Sequence, residues 1–185
     1  MYDRNALIEL IRAEALQEGE FTLASGKKSH YYLDCRRVTL DSRGANLIAA
    51  GILELLGDDL PDAIGGMAIG ADPITAAVIT LAGVSGESLR GFIVRKQAKE
   101  HGRGQDVEGP VQAGDRVVIV EDVVTTGGSA LQAIEKVEAC GLEVAGVLAV
   151  VDRLEGGADV FAERGYLLRT LLTIRDFGLE PIPAS

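Results

Sequence analysis

The sequence predicts an α/β fold with a central, mostly parallel sheet flanked by helices. Three observations carry that expectation. Strand-like and helix-like segments alternate along most of the chain. The strands read as near-continuous apolar runs, VVIV at 117–120 and VAGVLAVV at 144–151 among them, as strands buried on both faces must. The first of these runs then ends in two carboxylates and breaks into the small-residue turn TTGGS, at the strand end where open parallel sheets bind ligands.

Each element has its own justification. Leu7, Leu10, Ile11 and Ala15 fall near helical spacing, with Asp3 placed to cap the helix and Gly19 to stop it. FTLASGKKSHYYLDCRRVTL holds two strand-like pieces around a Ser-Gly turn, and Ser42–Leu56 returns to helical spacing before Gly57. AIGGMAIG at 63–70 reads as a short strand. DPITAAVITLAG follows it as a helix, with Asp72 as N-cap and Pro73 at the first helical position, where its missing N–H costs nothing. GFIVR at 91–95 is a strand, and the polar run QAKEHGRGQDVEGP after it has the length of a lid. A strand from Arg116 to Val120, a helix from Gly128 to Cys140 ended by Gly141, and a strand from Glu143 to Val151 complete a βαβ unit; YLLRTLLTI at 166–174 adds a last strand. No internal repeat, low-complexity tract or linker interrupts the 185 residues, which suit one domain.

Composition narrows the partners. With 28 acidic against 18 basic residues the net charge is −10, a field that repels nucleic-acid phosphates and anionic lipid, so neither is expected as a partner. No run approaches the roughly 20 apolar residues of a membrane helix, and the amphipathic N-terminus lacks the apolar core of a signal peptide, so a cytoplasmic location is expected. Cys35 and Cys140 form no metal or disulfide pattern and read as small packed residues.

The run VVIVEDVVTTGGSA, 117–130, carries the chemistry. Backbone N–H groups, hydroxyls and the positive end of a helix dipole would meet in the turn Thr125–Ser129, which makes a phosphate site. Glu121 and Asp122 would repel that phosphate, so they suit neighbouring sugar hydroxyls, and a ribose 5-phosphate fits both halves. The competing reading is that the acids only cap a tight connection. A second constellation, RKQAKEHGRG at 95–104, gathers Arg95, Lys96, Lys99, His101 and Arg103 between glycines on an otherwise acidic chain. It is either a solvated charge run or a mobile cationic loop that closes over a leaving anion and excludes water.

The first run resembles the motif by which type I phosphoribosyltransferases bind 5-phosphoribosyl 1-diphosphate (PRPP). FTLASGKKSHYYLD, RKxxKxHG, EDVVTTGGS and VVDR at 150–153 occur in the order and approximate spacing of the orotate phosphoribosyltransferases, over nearly the whole chain. The resemblance implies that family's fold: a central parallel sheet flanked by helices, a small N-terminal hood from residues 1–40, and a flexible catalytic loop. It implies a Mg²⁺-dependent homodimer with active sites shared across the interface, converting orotate and PRPP to orotidine 5′-monophosphate and diphosphate. The metal would arrive on the PRPP diphosphate, so no protein cage is expected.

Residue by residue, the resemblance puts Glu121 and Asp122 on the ribose hydroxyls. Thr125, Thr126, Gly127, Gly128 and Ser129 fall around the 5′-phosphate, and Val123 and Val124 before them count among the PRPP-binding residues. Arg95, Lys99 and His101 match diphosphate contacts, and Lys96 matches a residue reaching the neighbouring subunit's site. Lys99, His101 and Asp122 are the catalytic candidates. Arg153, Thr125, Tyr31 and Tyr32 match the orotate side, where a planar guanidinium would distinguish orotate from uracil. Left open are an ion pair of Arg153 with Asp152 or Glu155, and core packing for the tyrosines.

The chain departs from a common family pattern at Ala24 and Gly70, where many members carry lysine. Lys27 or Lys28 would replace the first charge, and the loop GADP with Asp72 would be a variant diphosphate-facing wall. Two rival functions remain: a phosphoribosyltransferase for a purine base, and a PRPP-sensing regulator. Arg153 and YYLD disfavour the first. The absence of a broad basic face disfavours the second.

Overall fold

The computed structural model describes residues 2–22, 28–97 and 106–182. The chain opens with helix α1 (Arg4–Glu14), where the Asp3 carboxylate accepts from Ala6 N at 3.0 Å, the expected cap. A two-stranded antiparallel ribbon follows, β1 (Leu16–Thr22) against β2 (Lys28–Leu33), then a single turn α2 (Arg36–Thr39) and α3 (Ser42–Leu56). Gly19 does not stop α1: the helix ends at Glu14 and Gly19 lies inside β1. Most of that strand is exposed, so it shows no alternation of apolar and polar residues by which it could be read.

The remaining elements build the main sheet: β3 (Ala63–Met67), α4 (Ala71–Val84), β4 (Arg90–Val94), β5 (Val107–Glu108), β6 (Arg116–Val124), α5 (Gly128–Ala139), β7 (Glu143–Asp152), α6 (Gly157–Glu163), β8 (Leu168–Thr173) and a closing 3-10 turn (Ile174–Phe177). The strand order is β5-β4-β3-β6-β7-β8; β5 alone runs antiparallel to its neighbour. The sheet is therefore the expected parallel one with a short antiparallel edge. Two apolar layers cover it. Val118 and Val120 of β6 join Ile48 and Ile52 of α3 and Ile74 and Val78 of α4 on one face. Val117 and Ile119 join Ala133, Ile134 and Val137 of α5 and Phe161 of α6 on the other.

This topology decides where a ligand goes. From β3 the chain moves outward to β4 on one side, then crosses back to place β6 on the other, so the strand order reverses between β3 and β6. Helices leave the carboxyl ends of those two strands toward opposite faces and open a crevice between them. That crevice lies where β3 ends at Met67 and β6 delivers Glu121 and Asp122.

Three local expectations need correction. Helix α4 begins at Ala71, so Pro73 sits third in the helix, still in the first turn where no intrahelical donor is lost. Asp72 is inside the helix and does not cap it; its Oδ1 is buried with no partner, and burial raises its pKa. Cys35 is buried as expected, whereas Cys140 caps α5 at the surface and is exposed.

Candidate active site

The crevice holds two adjoining cavities of about 360 and 390 Å³ that share Glu121, Val123, Thr125, Ser129 and Gln132. The second is the one the sequence marks for a phosphate. Its lining runs from Val123 through Thr125, Thr126, Gly127, Gly128 and Ser129 into α5. Gly127 takes the N-cap position of α5 in the left-handed region at φ 80, and no side chain caps that helix end. The first N–H groups of a 12-residue helix are thus left for a ligand. A side chain at Gly127 would meet both the backbone preference and the Phe161 ring, whose Cζ would lie 2.9 Å from a Cβ. The loop is pinned from behind: Arg153 N donates to Val124 O at 2.9 Å and Gly157 N to Thr125 O at 3.1 Å. Val124 itself is buried in the core and lends the site only backbone.

The two carboxylates differ from solvated acids. Glu121 is 7% exposed, its Oε2 is buried without a partner, and burial, reinforced by the charge of Asp122, pushes its pKa up to about 8. Asp122 is also raised, chiefly by burial; its Oδ1 accepts from Val123 N at 2.9 Å. A cap would leave no orphan oxygen, so the arrangement favours acceptors held for a ligand over a bare connection. Gly70 faces this pair: a Cβ there would lie 3.0 Å from Asp122 Oδ1. Asp72 lies outside the lining, and Met67, Ala68, Ile69 and Gly70 form that wall.

The first cavity continues toward the hood, lined by Tyr32, Leu33, Asp34, Cys35 and Arg36, with Lys96 and Arg153 across from them. Arg36 forks onto Asp34 at 2.7 and 3.0 Å. Tyr32 is 41% exposed, its ring 5.8 Å from that of Phe21. Tyr31 is not a lining residue: it points into the core at 2% exposure and reaches the site only through Arg153. Alternation along β2 sends one tyrosine of the pair each way. Arg153 Nε donates to Tyr31 OH at 3.1 Å, its guanidinium carbon lies 4.9 Å from the Tyr31 ring centroid, and its Nη2 is 2.9 Å from Glu155 Oε1. The ion pair anticipated as an alternative for Arg153 is therefore present, with Glu155, which itself lines neither cavity.

The cationic loop is described only at its roots. Lys99, His101, Arg103 and the glycines at 102 and 104 lie outside the described residues, as do Ala24 and Lys27. Arg95 does not line either cavity, because Glu108 on the paired strand β5 draws its guanidinium into an ion pair. Lys136 of α5 holds both roots, donating to Arg95 O at 2.6 Å and Asp106 Oδ1 at 2.7 Å. Lys96 is exposed and lines the cavity of its own chain.

Sequence reasoning missed Gln132, Asp34 and Arg36. Gln132 lines both cavities from the first turns of α5, and its spacing from Ser129 on a helix was the available signal. Asp34 and Arg36 follow YYL, but the α2 turn that aims them at the crevice is too short to leave a periodic signature. Among the described residues no group of three or more His, Cys, Asp or Glu is placed to hold a metal ion. The hard oxygens of Asp34, Glu121 and Asp122 in one cavity nonetheless suit a Mg²⁺ that keeps its waters and arrives on a phosphate ligand.

A crevice at the strand-order reversal of a mostly parallel sheet, with an uncapped helix N-terminus and an adjacent acidic pair beside it, is the architecture of the type I phosphoribosyltransferase fold. Residues 42–165 match the phosphoribosyl transferase domain model. The chain is 61% identical over 185 residues to the orotate phosphoribosyltransferase of Rhodopirellula baltica, covering 97% of this chain and 96% of that one. Among solved structures, Mycobacterium tuberculosis H37Rv orotate phosphoribosyltransferase in complex with Fe(III) dicitrate aligns with a TM-score of 0.85 at 41% identity, covering 95% of this chain and 99% of that one. The same protein in complex with PRPP aligns at 0.81 and 38% identity over the same shares. The chain belongs to the orotate phosphoribosyltransferase family.

Proposed function

We infer that this chain transfers the 5-phosphoribosyl group of PRPP to orotate, giving orotidine 5′-monophosphate and diphosphate for UMP synthesis. The observation that carries the reading is the meeting, in one crevice, of the free α5 N-terminus, the Glu121–Asp122 pair and the Arg153 guanidinium. Each suits a different part of the reactants. The N–H groups and hydroxyls of Thr125–Ser129 hold the 5′-phosphate. Glu121 and Asp122 accept from the ribose hydroxyls and place negative charge under the sugar as its bond to diphosphate breaks. Arg153, with Tyr32 and Thr125 beside it, faces the carboxylate and carbonyl edge of orotate, which uracil and purines lack.

Mg²⁺, when bound with PRPP, would supply charge neutralisation at the diphosphate, and Asp122 and Asp34 would be the residues to hold it in the crevice. Lys96, Lys99 and His101 complete that neutralisation from the loop, while Arg95 braces the loop root through Glu108. Residues 1–40 act as the hood over the base within one 185-residue domain. The protein works in the cytoplasm, without nucleic acid or membrane as partner. In the described residues no helix is long and apolar enough to cross a membrane.

The homodimer shares its sites through Lys96. A heterodimer of one Lys96→Ala and one Asp122→Asn chain should then regain about half the wild-type activity per dimer, since one pocket is complete. Activity no higher than the mean of the two mutant homodimers assigns Lys96 to its own chain's cavity, where it stands in the monomer. The function itself is tested by following loss of orotate absorbance with PRPP and Mg²⁺, beside uracil and adenine. Turnover of either base in place of orotate would overturn the assignment.

A further inference from the structure

We propose that Tyr31 and Glu155 are positioning residues that fix the Arg153 guanidinium for recognition of the base; the inference rests on Arg153 facing orotate, as proposed above. An arginine side chain is long and flexible, and bidentate recognition of a planar anion requires its fork in one orientation. Here three contacts set that orientation. The Tyr31 hydroxyl accepts from Nε at 3.1 Å, and the Tyr31 ring lies under the guanidinium at 4.9 Å. Glu155 Oε1 approaches Nη2 at 2.9 Å and closes the triangle by accepting from Tyr31 OH at 3.5 Å. Of the three side chains only Arg153 lines the cavity, so the clamp grips the guanidinium from behind.

Two further features point the same way. The approach of Glu155 to Nη2 lacks hydrogen-bond alignment, and Nη2 is buried with no acceptor. A buried donor of a charged group left unmet is costly and is the kind of group a ligand completes. Leu154, between the two partners, has φ 57, the one non-glycine residue in the left-handed region among those described. Asp152 Oδ1 accepts from Leu154 N at 2.8 Å and the Leu154 side chain packs on the core, which holds the turn that brings Glu155 back to Arg153. Because Glu155 balances the charge of Arg153, selection of the base rests on the geometry of the fork and less on net attraction.

The test is steady-state kinetics on Tyr31→Phe, Glu155→Gln, Arg153→Ala and the Arg153→Ala/Glu155→Gln double variant. Tyr31→Phe and Glu155→Gln should each raise KM for orotate roughly tenfold, with kcat and KM for PRPP within about twofold. In the Arg153→Ala background Glu155→Gln should add nothing, since the residue acts through Arg153. If Arg153→Ala raises the orotate KM but the other two single variants do not, the clamp is overturned and Arg153 keeps its role. If Arg153→Ala leaves that KM unchanged, the base-side reading falls and takes the clamp with it. A lower orotate KM in Glu155→Gln would mean that the carboxylate masks the guanidinium, and parallel losses in kcat and both KM values would mean a structural defect; either overturns the proposal. Should Glu155→Gln not fold, Tyr31→Phe, which deletes a single oxygen, decides the matter alone.

Discussion

The two anion-facing walls of the crevice are built from different material. On the proposed phosphate side the free donors are backbone N–H groups at the head of α5, and the nearby residues serve by being small: Gly127 clears Phe161 and Gly157 clears Val124 and the Thr125 carbonyl. On the proposed base side one guanidinium is given the recognition, and its neighbours would serve by having particular polar atoms in particular places. A wall of backbone is broken by adding atoms; a wall of side chains is broken by removing them. The backbone wall also keeps its chemistry whatever ligand the other wall selects, so specificity is free to change on the Arg153 side alone.

The largest effect should come from adding atoms behind the phosphate loop. A Cβ on Gly157 would lie 2.4 Å from Val124 Cγ1 and 2.9 Å from Thr125 O, so Gly157→Ala must shift the loop although residue 157 lines neither cavity. Displacement of positioning groups by about 1 Å costs on the order of 10²-fold, and kcat/KM for PRPP should fall by that order. Gly83→Ala, in α4 and away from both cavities, is the control: nothing lies within 4 Å of its Cβ, and PRPP kinetics should stay near wild type. Equal effects at the two glycines would refute the account of the backbone wall. Removing atoms from the other wall comes next. Arg153→Ala should raise the orotate KM roughly 10- to 100-fold, the worth of hydrogen bonds to a charged group, and leave the PRPP KM near wild type. A rise confined to PRPP would place the guanidinium on the wrong substrate.

The same division explains what the sequence made legible. The phosphate wall is contiguous: strand, acids, small-residue turn and helix lie within 117–139, and its apolar period and glycines follow from local geometry. The structure brings the residues from Glu121 to Ser129 together around the two adjoining cavities. The base wall is assembled from β2 and α2 and, more than 100 residues further along the chain, the turn after β7. Arg153 was expected on the base side through a motif and does line the cavity, but nothing local says that Tyr31 turns inward against it while Tyr32 faces the cavity. Glu155 was anticipated only as an ion-pair partner, because its role depends on the left-handed turn at Leu154. In the main sheet the strands from β3 onward were readable and β5 was not, since two residues on an antiparallel edge carry no pattern. The pairing of Glu108 on that edge with Arg95 was equally hidden, and it holds the Arg95 guanidinium at the loop root.

The smallest effect concerns Glu121, a side chain set within the backbone wall. Its pKa stands at about 8 in the folded, empty site against an ordinary 4.5, chiefly because burial disfavours its charge. The folded protein therefore keeps a proton that the unfolded chain releases, and stability falls as pH rises from about 4.5 to 8 and then levels. Glu121→Gln removes that titration. Other raised carboxylates, Asp122 and Asp152 among them, titrate in both proteins, so the difference between the two melting curves isolates Glu121. The variant's Tm should gain on wild type steadily across that window, by roughly 2–4 °C for each kcal/mol in a chain of this size. PRPP should behave in the opposite sense. Ribose hydroxyls donating to the carboxylate favour its ionised form, so wild-type PRPP affinity should rise between pH 7 and 8 with release of protons, and Glu121→Gln should bind weakly without that rise. Parallel melting curves at all pH values would mean that Glu121 is solvated in the empty site, and the orphan oxygen held for the ribose would have to be abandoned.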